Sequence, residues 1–289
     1  MMDIDENTLT DAVLARLAQC DEPRFKAVMT SLIRHLHAFV REVELTEAEW
    51  LEAIKFLTAT GQMCDDKRQE FILLSDTLGV SMLVDAINHR FPAGATETTV
   101  FGPFFVEGAP EKPQWADITN GVFGTPCFVS GVVRDTSGKL LPDVLIDVWQ
   151  TDGEEGLYDV QKPDGESFCR AKIRTDADGR YAFRTVRPVS YPIPTDGPVG
   201  AMLMKMGRHP YRPAHIHTML TRDGYQPLIT HLFVRGDPYL DSDAVFGVKD
   251  SLIVDFVEHA PGTAAPDGSR LEQPFVTVSY DFVLAQRAS

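Results

Sequence analysis

Val129-Ser-Gly-Val-Val-Arg134, Asp135-Thr-Ser-Gly138 and Val144-Leu-Ile-Asp-Val-Trp149 together form a strand–turn–strand pattern. The two outer segments are rich in β-branched and aromatic residues, and the middle one is typical of a turn. The same pattern continues in Asp176-Ala-Asp-Gly179 and Arg180-Tyr-Ala-Phe183. Further strand candidates share this composition: 216–220, 230–234, 252–256 and 275–282. Many short strands separated by turns predict an antiparallel β-sandwich.

The first hundred residues have a different periodicity. Apolar side chains recur at three- and four-residue steps from Leu9 to Leu17 and from Phe25 to Val40, which predicts two amphipathic helices. Thr46-Glu-Ala-Glu49 is a capping-box pattern and predicts the start of a third. A fourth is expected from about Asp66 to Ile87, with enough apolar residues around it to be largely buried.

These two regions predict an α+β protein, with a helical domain over residues 1–97 and a β-sandwich domain over residues 98–289. Between them lies Phe101-Gly-Pro-Phe-Phe-Val-Glu-Gly-Ala-Pro110, a connector interrupted by glycine and proline. Its phenylalanines are too numerous for a solvated linker, so we expect them to pack against the sandwich.

Composition excludes several classes of protein. The 289 residues carry a formal net charge of −15, which argues against nucleic acid or an anionic membrane as the main partner. No apolar run is long enough for membrane insertion, and no signal peptide is recognisable. The four cysteines are widely spaced without a Cys-x-x-Cys pair, as in a reducing compartment, so we expect a cytoplasmic protein.

The stretch His209-Pro-Tyr-Arg-Pro-Ala-His-Ile-His217 carries the first candidate site. On a strand, His215 and His217 point to the same side, as two metal ligands would. A surface strand with two unrelated histidines fits this spacing equally well. Tyr158 and Tyr191 are two further candidates, although for either one alone a half-buried, hydrogen-bonded aromatic residue is the better explanation.

Nearly the whole chain resembles the intradiol ring-cleaving dioxygenases. The matching motifs are Gly102-Pro-Phe-Phe105, Leu141-Pro-Asp-Val-Leu-Ile-Asp-Val-Trp-Gln150 with Gly156-Leu-Tyr158, Tyr191-Pro-Ile-Pro194 and Tyr211-Arg-Pro-Ala-His-Ile-His217. The resemblance implies a catalytic sandwich domain with one Fe(III) per subunit, held by Tyr158, Tyr191, His215 and His217. It also implies catalytic roles for Tyr191, as the ligand that substrate displaces, and for Arg212, which would stabilise developing negative charge.

Details within the family point to its hydroxyquinol (benzene-1,2,4-triol) branch. Many relatives have a glutamine where this chain has His231. We expect His231 to be a third catalytic residue, which hydrogen-bonds near Arg212 rather than binding iron. In this branch Asp76 would accept a hydrogen bond from the third ring hydroxyl. The implied substrate-binding residues are Leu73, Asp76, Val100, Phe101, Gly102, Ile193, Pro194, Arg212 and Val245. The apolar members of this set would fit an ordinary core equally well.

The activity implied is insertion of both atoms of O2 into hydroxyquinol, with cleavage between the adjacent hydroxylated carbons to give 3-hydroxy-cis,cis-muconate or maleylacetate. Catechol or a chlorocatechol is the alternative substrate. A non-catalytic, transthyretin-like binding module is the alternative from another class, because residues 131–144 and 175–183 also fit its strand–turn–strand signature. Such a module would be colourless.

The N-terminal helices have two interpretations. They could simply cap the sandwich and close the pocket through Leu73 and Asp76. The resemblance implies in addition a homodimer formed through these helices, with a phospholipid buried between them. The apolar stripe from Phe25 to Val40 is compatible with both.

Overall fold

The computed structural model describes residues 4–65, 68–162 and 166–287. The chain divides into two compact units, Met1–Ala59 and Thr60–Ser289. The predicted division at residue 97 therefore stays a prediction. Within the described residues, no helix has both the length and the apolar character needed to cross a membrane.

The first unit consists of α1 (Leu9–Arg16), α2 (Pro23–Glu42) and most of α3 (Glu47–Gln62). As predicted, Thr46 and Glu49 form a capping box, in which the Thr46 amide donates to the Glu49 carboxylate and the Glu49 amide donates to the Thr46 hydroxyl. None of the described residues of α2 is buried. Its large apolar side chains are instead exposed: Phe25, Val28, Leu32, Leu36, Phe39 and Val40.

The predicted fourth helix is wrong in two respects. Its expected start at Asp66 lies outside the described residues, and the rest forms two helices, α4 (Glu70–Thr77) and α5 (Val80–Asn88). Gly79 separates them with a φ of +74°, a left-handed conformation that ends a helix and that glycine adopts without strain. The expected burial is also wrong for Leu78, Leu83 and Ile87, each more than half exposed, whereas Leu73 is buried.

Two six-stranded sheets build the second unit. The first has the order β1 (Glu111–Lys112), β5 (Arg170–Arg174), β4 (Leu145–Trp149), β9 (His215–Thr221), β10 (Leu228–Val234) and β11 (Ile253–Val254). The second has the order β12 (Val257–His259), β13 (Phe275–Ser279), β3 (Pro126–Asp135), β6 (Arg180–Val186) and β2 (Ala116–Asp117), and β14 (Phe282–Leu284) also pairs with β3. A two-stranded ribbon joins β7 (Tyr191–Pro192) to β8 (Tyr211–Arg212), and α6 (Pro198–Lys205) lies between them in sequence.

The sandwich prediction is confirmed, but the sheets are mixed rather than antiparallel. The central pairs of the first sheet are antiparallel, whereas β3 pairs in parallel with both β13 and β14. β3 and β13 lie far apart in the sequence, and the chain between them passes through strands of the other sheet; such a long connection permits parallel pairing. The core between the sheets takes side chains from both, including Ile146, Ile216, Val129 and Phe183.

Candidate metal centre

His215 and His217 lie on β9, on the face of its sheet that points away from the sandwich core. Ile216, between them, belongs to the core, so the alternation of the strand directs both imidazoles to the opposite face. Their Nε2 atoms are 3.1 Å apart, and each side chain is almost completely buried. The prediction that the two histidines share one face of a strand is confirmed.

Tyr158 and Tyr191 bring their hydroxyl groups to the same point. The Tyr158 Oη lies 3.0 Å from His217 Nε2 and 3.2 Å from the Tyr191 Oη, and both rings are buried. Phe104 of the predicted connector stacks on the Tyr158 ring at 4.4 Å. Four side chains from three separate segments of the chain thus place their donor atoms around one position.

The loop that presents Tyr158 has a local cause in the sequence. The Asp152 carboxylate accepts hydrogen bonds from the amides of Glu154, Glu155 and Gly156, which folds the chain into a tight turn just before the tyrosine. Gly156 has a φ of +71°, and a Cβ there would lie 2.9 Å from the Cβ of Tyr191. Only glycine therefore lets the two tyrosine-bearing segments approach so closely.

Arg170 and Asp159, which are not among the predicted site residues, fix the backbone next to Tyr158. Arg170 is buried and binds Asp159, the residue after Tyr158, through Nε at 2.9 Å and Nη2 at 2.5 Å. Its Nη2 also donates to the carbonyl of Phe104 at 2.9 Å. The position of Asp159 directly after Tyr158 is the only sequence signal for this pair.

Hydrogen bonding to the backbone prepares His215 to act as a ligand. Its Nδ1 lies 2.7 Å from the carbonyl of Pro213, which can only accept, so the proton is on Nδ1 and Nε2 carries a lone pair. Burial and the nearby Arg212 lower the pKa of His215 to about 3. Burial and His215 likewise lower the pKa of His217 well below its usual value, so both imidazoles are neutral at pH 7.

The Tyr158 phenol needs a cation nearby before it can ionise at neutral pH. Burial and the neighbouring Tyr191 raise the pKa of Tyr158 well above its usual value. Two neutral imidazole nitrogens and two phenol oxygens form a donor set that suits a hard, highly charged metal ion, which would itself supply the charge that phenolates require. The residues present therefore fit a ferric ion.

Arg212 lies beside these donors and is almost completely buried. Its Nη1 is 3.3 Å from His215 Nε2, and its Nε and Nη2 lie 3.1 Å and 3.3 Å from the two oxygens of Asp243. Burial alone would raise the pKa of Asp243, but the charge and hydrogen bonds of Arg212 hold it below its usual value. Asp243 was not predicted as a site residue, although it lies two residues before Val245.

His231 is adjacent to the donors without converging on them. Its Nε2 lies 2.7 Å from Nδ1 of His217, its cross-strand partner, and its Nδ1 lies 3.0 Å from the Thr99 hydroxyl. The hydrogen bonds of His231 thus go to His217 and Thr99, and its part in the reaction stays a prediction. Among the described residues, His215, His217 and His231 form the one cluster of His, Cys, Asp or Glu side chains able to hold a metal ion.

The predicted substrate-binding residues lie in several places around this centre. A cavity of about 490 Å³ is lined by Asp76, Val100, Phe101 and Gly102, together with residues of α5 and of the segment before β10. Its lining does not include the other predicted members, which are Leu73, Ile193, Pro194, Arg212 and Val245. Gly102 also reaches the donors, because a Cβ there would lie 3.1 Å from Cε1 of His217.

Asp76 is buried, with a relative exposure of 5%. Burial raises the pKa of this carboxyl group, while Ser81 and the charge of Arg212 act in the opposite direction. A buried carboxylate is costly unless a donor meets it. A buried carboxylate such as that of Asp76 is therefore unusual in the wall of a cavity, unless a ligand donates a hydrogen bond to it.

Comparisons with known proteins cover nearly the whole chain. A family profile described as "Dioxygenase" matches residues 100–286, and one described as "Catechol dioxygenase N terminus" matches residues 22–96. Hydroxyquinol 1,2-dioxygenase of Rhodococcus opacus is 54% identical, covering 97% of this chain and 94% of the relative. 6-chlorohydroxyquinol 1,2-dioxygenase of Cupriavidus pinatubonensis is 55% identical, covering 91% and 95%. The solved structure of hydroxyquinol 1,2-dioxygenase from Pseudomonas putida has a TM-score of 0.91 at 51% identity, covering 98% of this chain and 99% of that one.

Proposed function

The chain belongs to the intradiol ring-cleaving dioxygenases, and we propose that its substrate is hydroxyquinol. The reaction would insert both atoms of O2 between the adjacent hydroxylated carbons and give 3-hydroxy-cis,cis-muconate or its tautomer maleylacetate. The alternative of a non-catalytic binding module does not apply, because the family is one of enzymes. Catechol and chlorocatechols remain the competing substrates.

Non-haem iron is the metal of this family, and we propose that Tyr158, Tyr191, His215 and His217 hold one Fe(III) per subunit. This assignment rests on the convergence of two phenol oxygens with two imidazole nitrogens. When bound, the ferric ion would draw charge from a chelated aromatic diolate and so make a ring carbon reactive toward O2. Each remaining task would fall to residues of the chain.

Tyr191 is proposed to take up a proton from a substrate hydroxyl at its Oη. It lies on the short β7 ribbon, opposite Arg212, and prolines follow it at positions 192 and 194. The Arg212 guanidinium would stabilise negative charge that develops on the ring and on the incoming oxygen, as a fixed and buried cation can. Its pairing with Asp243 keeps the guanidinium in one orientation.

His231 is proposed to act through His217. For His217 to offer a lone pair at Nε2, its Nδ1 must carry the proton and donate it to His231 Nε2 at 2.7 Å. His231 is then protonated on Nδ1 and donates to Thr99. Such partners of metal-bound histidines fix the tautomer and the ring orientation.

The selectivity for hydroxyquinol is proposed to depend on the buried Asp76. Its carboxylate would accept the hydrogen bond of the third hydroxyl, whereas catechol would leave it without that donor at a cost of about 1–3 kcal/mol. The other predicted wall residues, Leu73, Val100, Phe101, Gly102, Ile193, Pro194 and Val245, are proposed to enclose the ring.

The decisive measurement compares kcat/KM for hydroxyquinol, catechol and 4-chlorocatechol. We expect hydroxyquinol to exceed catechol by roughly 5- to 150-fold, the range that the lost hydrogen bond implies. Asp76→Ala should bring the two values together. A wild-type preference for catechol would contradict the assignment.

We also propose a homodimer through the N-terminal helices, with a phospholipid bound between them. The support is the exposed apolar side of α2, which includes Leu32, Leu36 and Phe39. Apolar surface of this extent on one helix is typical of an interface. The absence of nucleic-acid partners and a cytoplasmic location stay predictions from the sequence.

A further inference from the structure

Helix α6 connects two segments of the metal centre. The chain leaves Tyr191 on β7, passes through α6 and returns to Arg212 on β8, its partner in the ribbon. Helix α4, which carries Asp76, packs against α6. The position of Asp76 relative to the metal donors is therefore set by how α4 is held on α6 and on the turn after it.

The amino-terminal end of α4 is attached to the start of α6. The Glu70 side chain is completely buried and accepts a hydrogen bond from the amide of Val199 at 3.1 Å. Arg68 donates to Glu70 through Nε at 3.1 Å and Nη2 at 2.9 Å, and to Asp196, just before α6, at 2.9 Å. A charged group buried in this way is held firmly only when its partners are all present.

The carboxyl-terminal end of α4 is attached by one side chain, Arg208. Its Nη1 donates to the carbonyl of Thr77 at 2.6 Å and its Nη2 to the carbonyl of Ala244 at 2.8 Å. The guanidinium also lies 4.7 Å above the Phe246 ring. Asp76 and Val245 are two of the predicted substrate-binding residues. Arg208 thus joins the residue that follows Asp76 to the residue that precedes Val245.

We propose that Arg208 is a positioning residue for substrate selection, which holds Asp76 at the distance from the metal donors that a triol requires. The proposal rests on the proposed function of Asp76. The last four carbonyls of a helix have no amide donor within the helix, so the end of a two-turn helix such as α4 depends on donors from outside it. Arg208 supplies one at Thr77 and adds a positive charge where the helix dipole favours it.

The test is a double-mutant cycle on substrate selectivity. Arg208→Met keeps a long, unbranched side chain but removes the guanidinium, and with it both donated hydrogen bonds and the contact with the Phe246 ring. We expect it to lower the ratio of kcat/KM for hydroxyquinol over catechol by fivefold or more, mainly through KM for hydroxyquinol. In the Asp76→Ala background the same substitution should change the ratio less than twofold, because the residue through which it acts is gone.

Arg235→Met is the matched control. The Arg235 guanidinium also donates to a backbone carbonyl, that of Ile253, and it pairs with the Asp255 carboxylate at the surface. This substitution should leave the ratio unchanged. Equal effects of Arg208→Met in both backgrounds would overturn the proposal, because they would show a general loss of structure rather than an action through Asp76.

A second measurement separates this proposal from the function of Asp76. If Asp76→Ala leaves selectivity unchanged, the assignment of Asp76 is wrong, and amide hydrogen exchange then decides the role of Arg208 alone. Arg208→Met should speed exchange in the last turn of α4 tenfold or more if Arg208 holds that helix end. Unchanged exchange would overturn the positioning role.

Discussion

Asp243 contacts Arg212 through both carboxylate oxygens, at 3.1 Å and 3.3 Å, and the pair is almost completely buried. Asp243 also accepts hydrogen bonds from the amides of Val245 at 3.3 Å and Gly247 at 2.9 Å. The Asp243 carboxylate therefore orients the Arg212 guanidinium and also holds the loop that carries Val245, a predicted residue of the substrate pocket.

Asp243→Asn should leave Arg212 buried beside a neutral partner. Since hydrogen bonds to charged groups contribute about 1.5–3 kcal/mol, kcat/KM should fall by roughly 10- to 150-fold. Steady-state kinetics checks this, with the visible absorption of the iron form as evidence that the ligands are intact. Asp255→Asn, at the exposed pair with Arg235, is the control and should have little effect.

Tyr191→Phe should abolish most of the activity and shift or weaken the visible band that tyrosinate gives with ferric iron. The reason is that one of the two phenol oxygens at the donor position is removed. Absorption spectroscopy and iron analysis check it. Tyr181 is also buried, and its hydroxyl donates to the carbonyl of Tyr280, so Tyr181→Phe should retain the band. An unchanged band and turnover in Tyr191→Phe would refute the ligand assignment.

His231→Leu should weaken iron binding by about 10- to 100-fold, the usual effect of removing the partner of a metal-bound histidine. Without an acceptor at its Nδ1, His217 is free to place its proton on Nε2, where the metal would bind. The rate of iron release to a chelator measures this. His231→Gln retains an acceptor oxygen and should keep most of the affinity for iron. An equal loss of affinity in both variants would show that His231 does not set the tautomer of His217.

The four side chains that converge were predicted, the histidines from the strand pattern and the tyrosines through the family resemblance, but the residues that hold them in place were not. His215 and His217 were found because period-two alternation on a strand is a local property. Asp243, Thr99 and Arg170 act across long sequence separations, and each is an ordinary polar residue until the fold brings it to its partner.

The same limit explains two of the errors in the predicted fold. The break between α4 and α5 depends on the left-handed conformation of Gly79, which helical periodicity does not reveal. The parallel pairing of β3 with β13 joins strands that lie far apart in the sequence, whereas short strands with turns suggest hairpins between neighbours.

Asp76→Asn should stabilise the protein at neutral pH while it impairs selection of the triol. Burial raises the folded-state pKa of Asp76, so its contribution to stability is fully present below the unfolded value near 3.8 and is lost as the pH rises through the folded pKa. The neutral amide avoids that loss. Urea unfolding should show a gain of roughly 1 kcal/mol at pH 7 that shrinks toward pH 4, and a gain independent of pH would contradict this origin.

The exposed apolar side of α2 predicts the response of the oligomer to a charge. Leu32 and Leu36 are each about half exposed, at 52% and 53%, and they lie one helical turn apart on the same side. In a dimer formed through this helix, Leu32→Glu would bury a carboxylate without a partner, which is strongly unfavourable. Light scattering should therefore show a dimer for the wild type and a monomer for Leu32→Glu. Glu22→Gln, in the polar segment before α2, is the control and should remain dimeric, while a dimer that persists in Leu32→Glu would place the interface elsewhere.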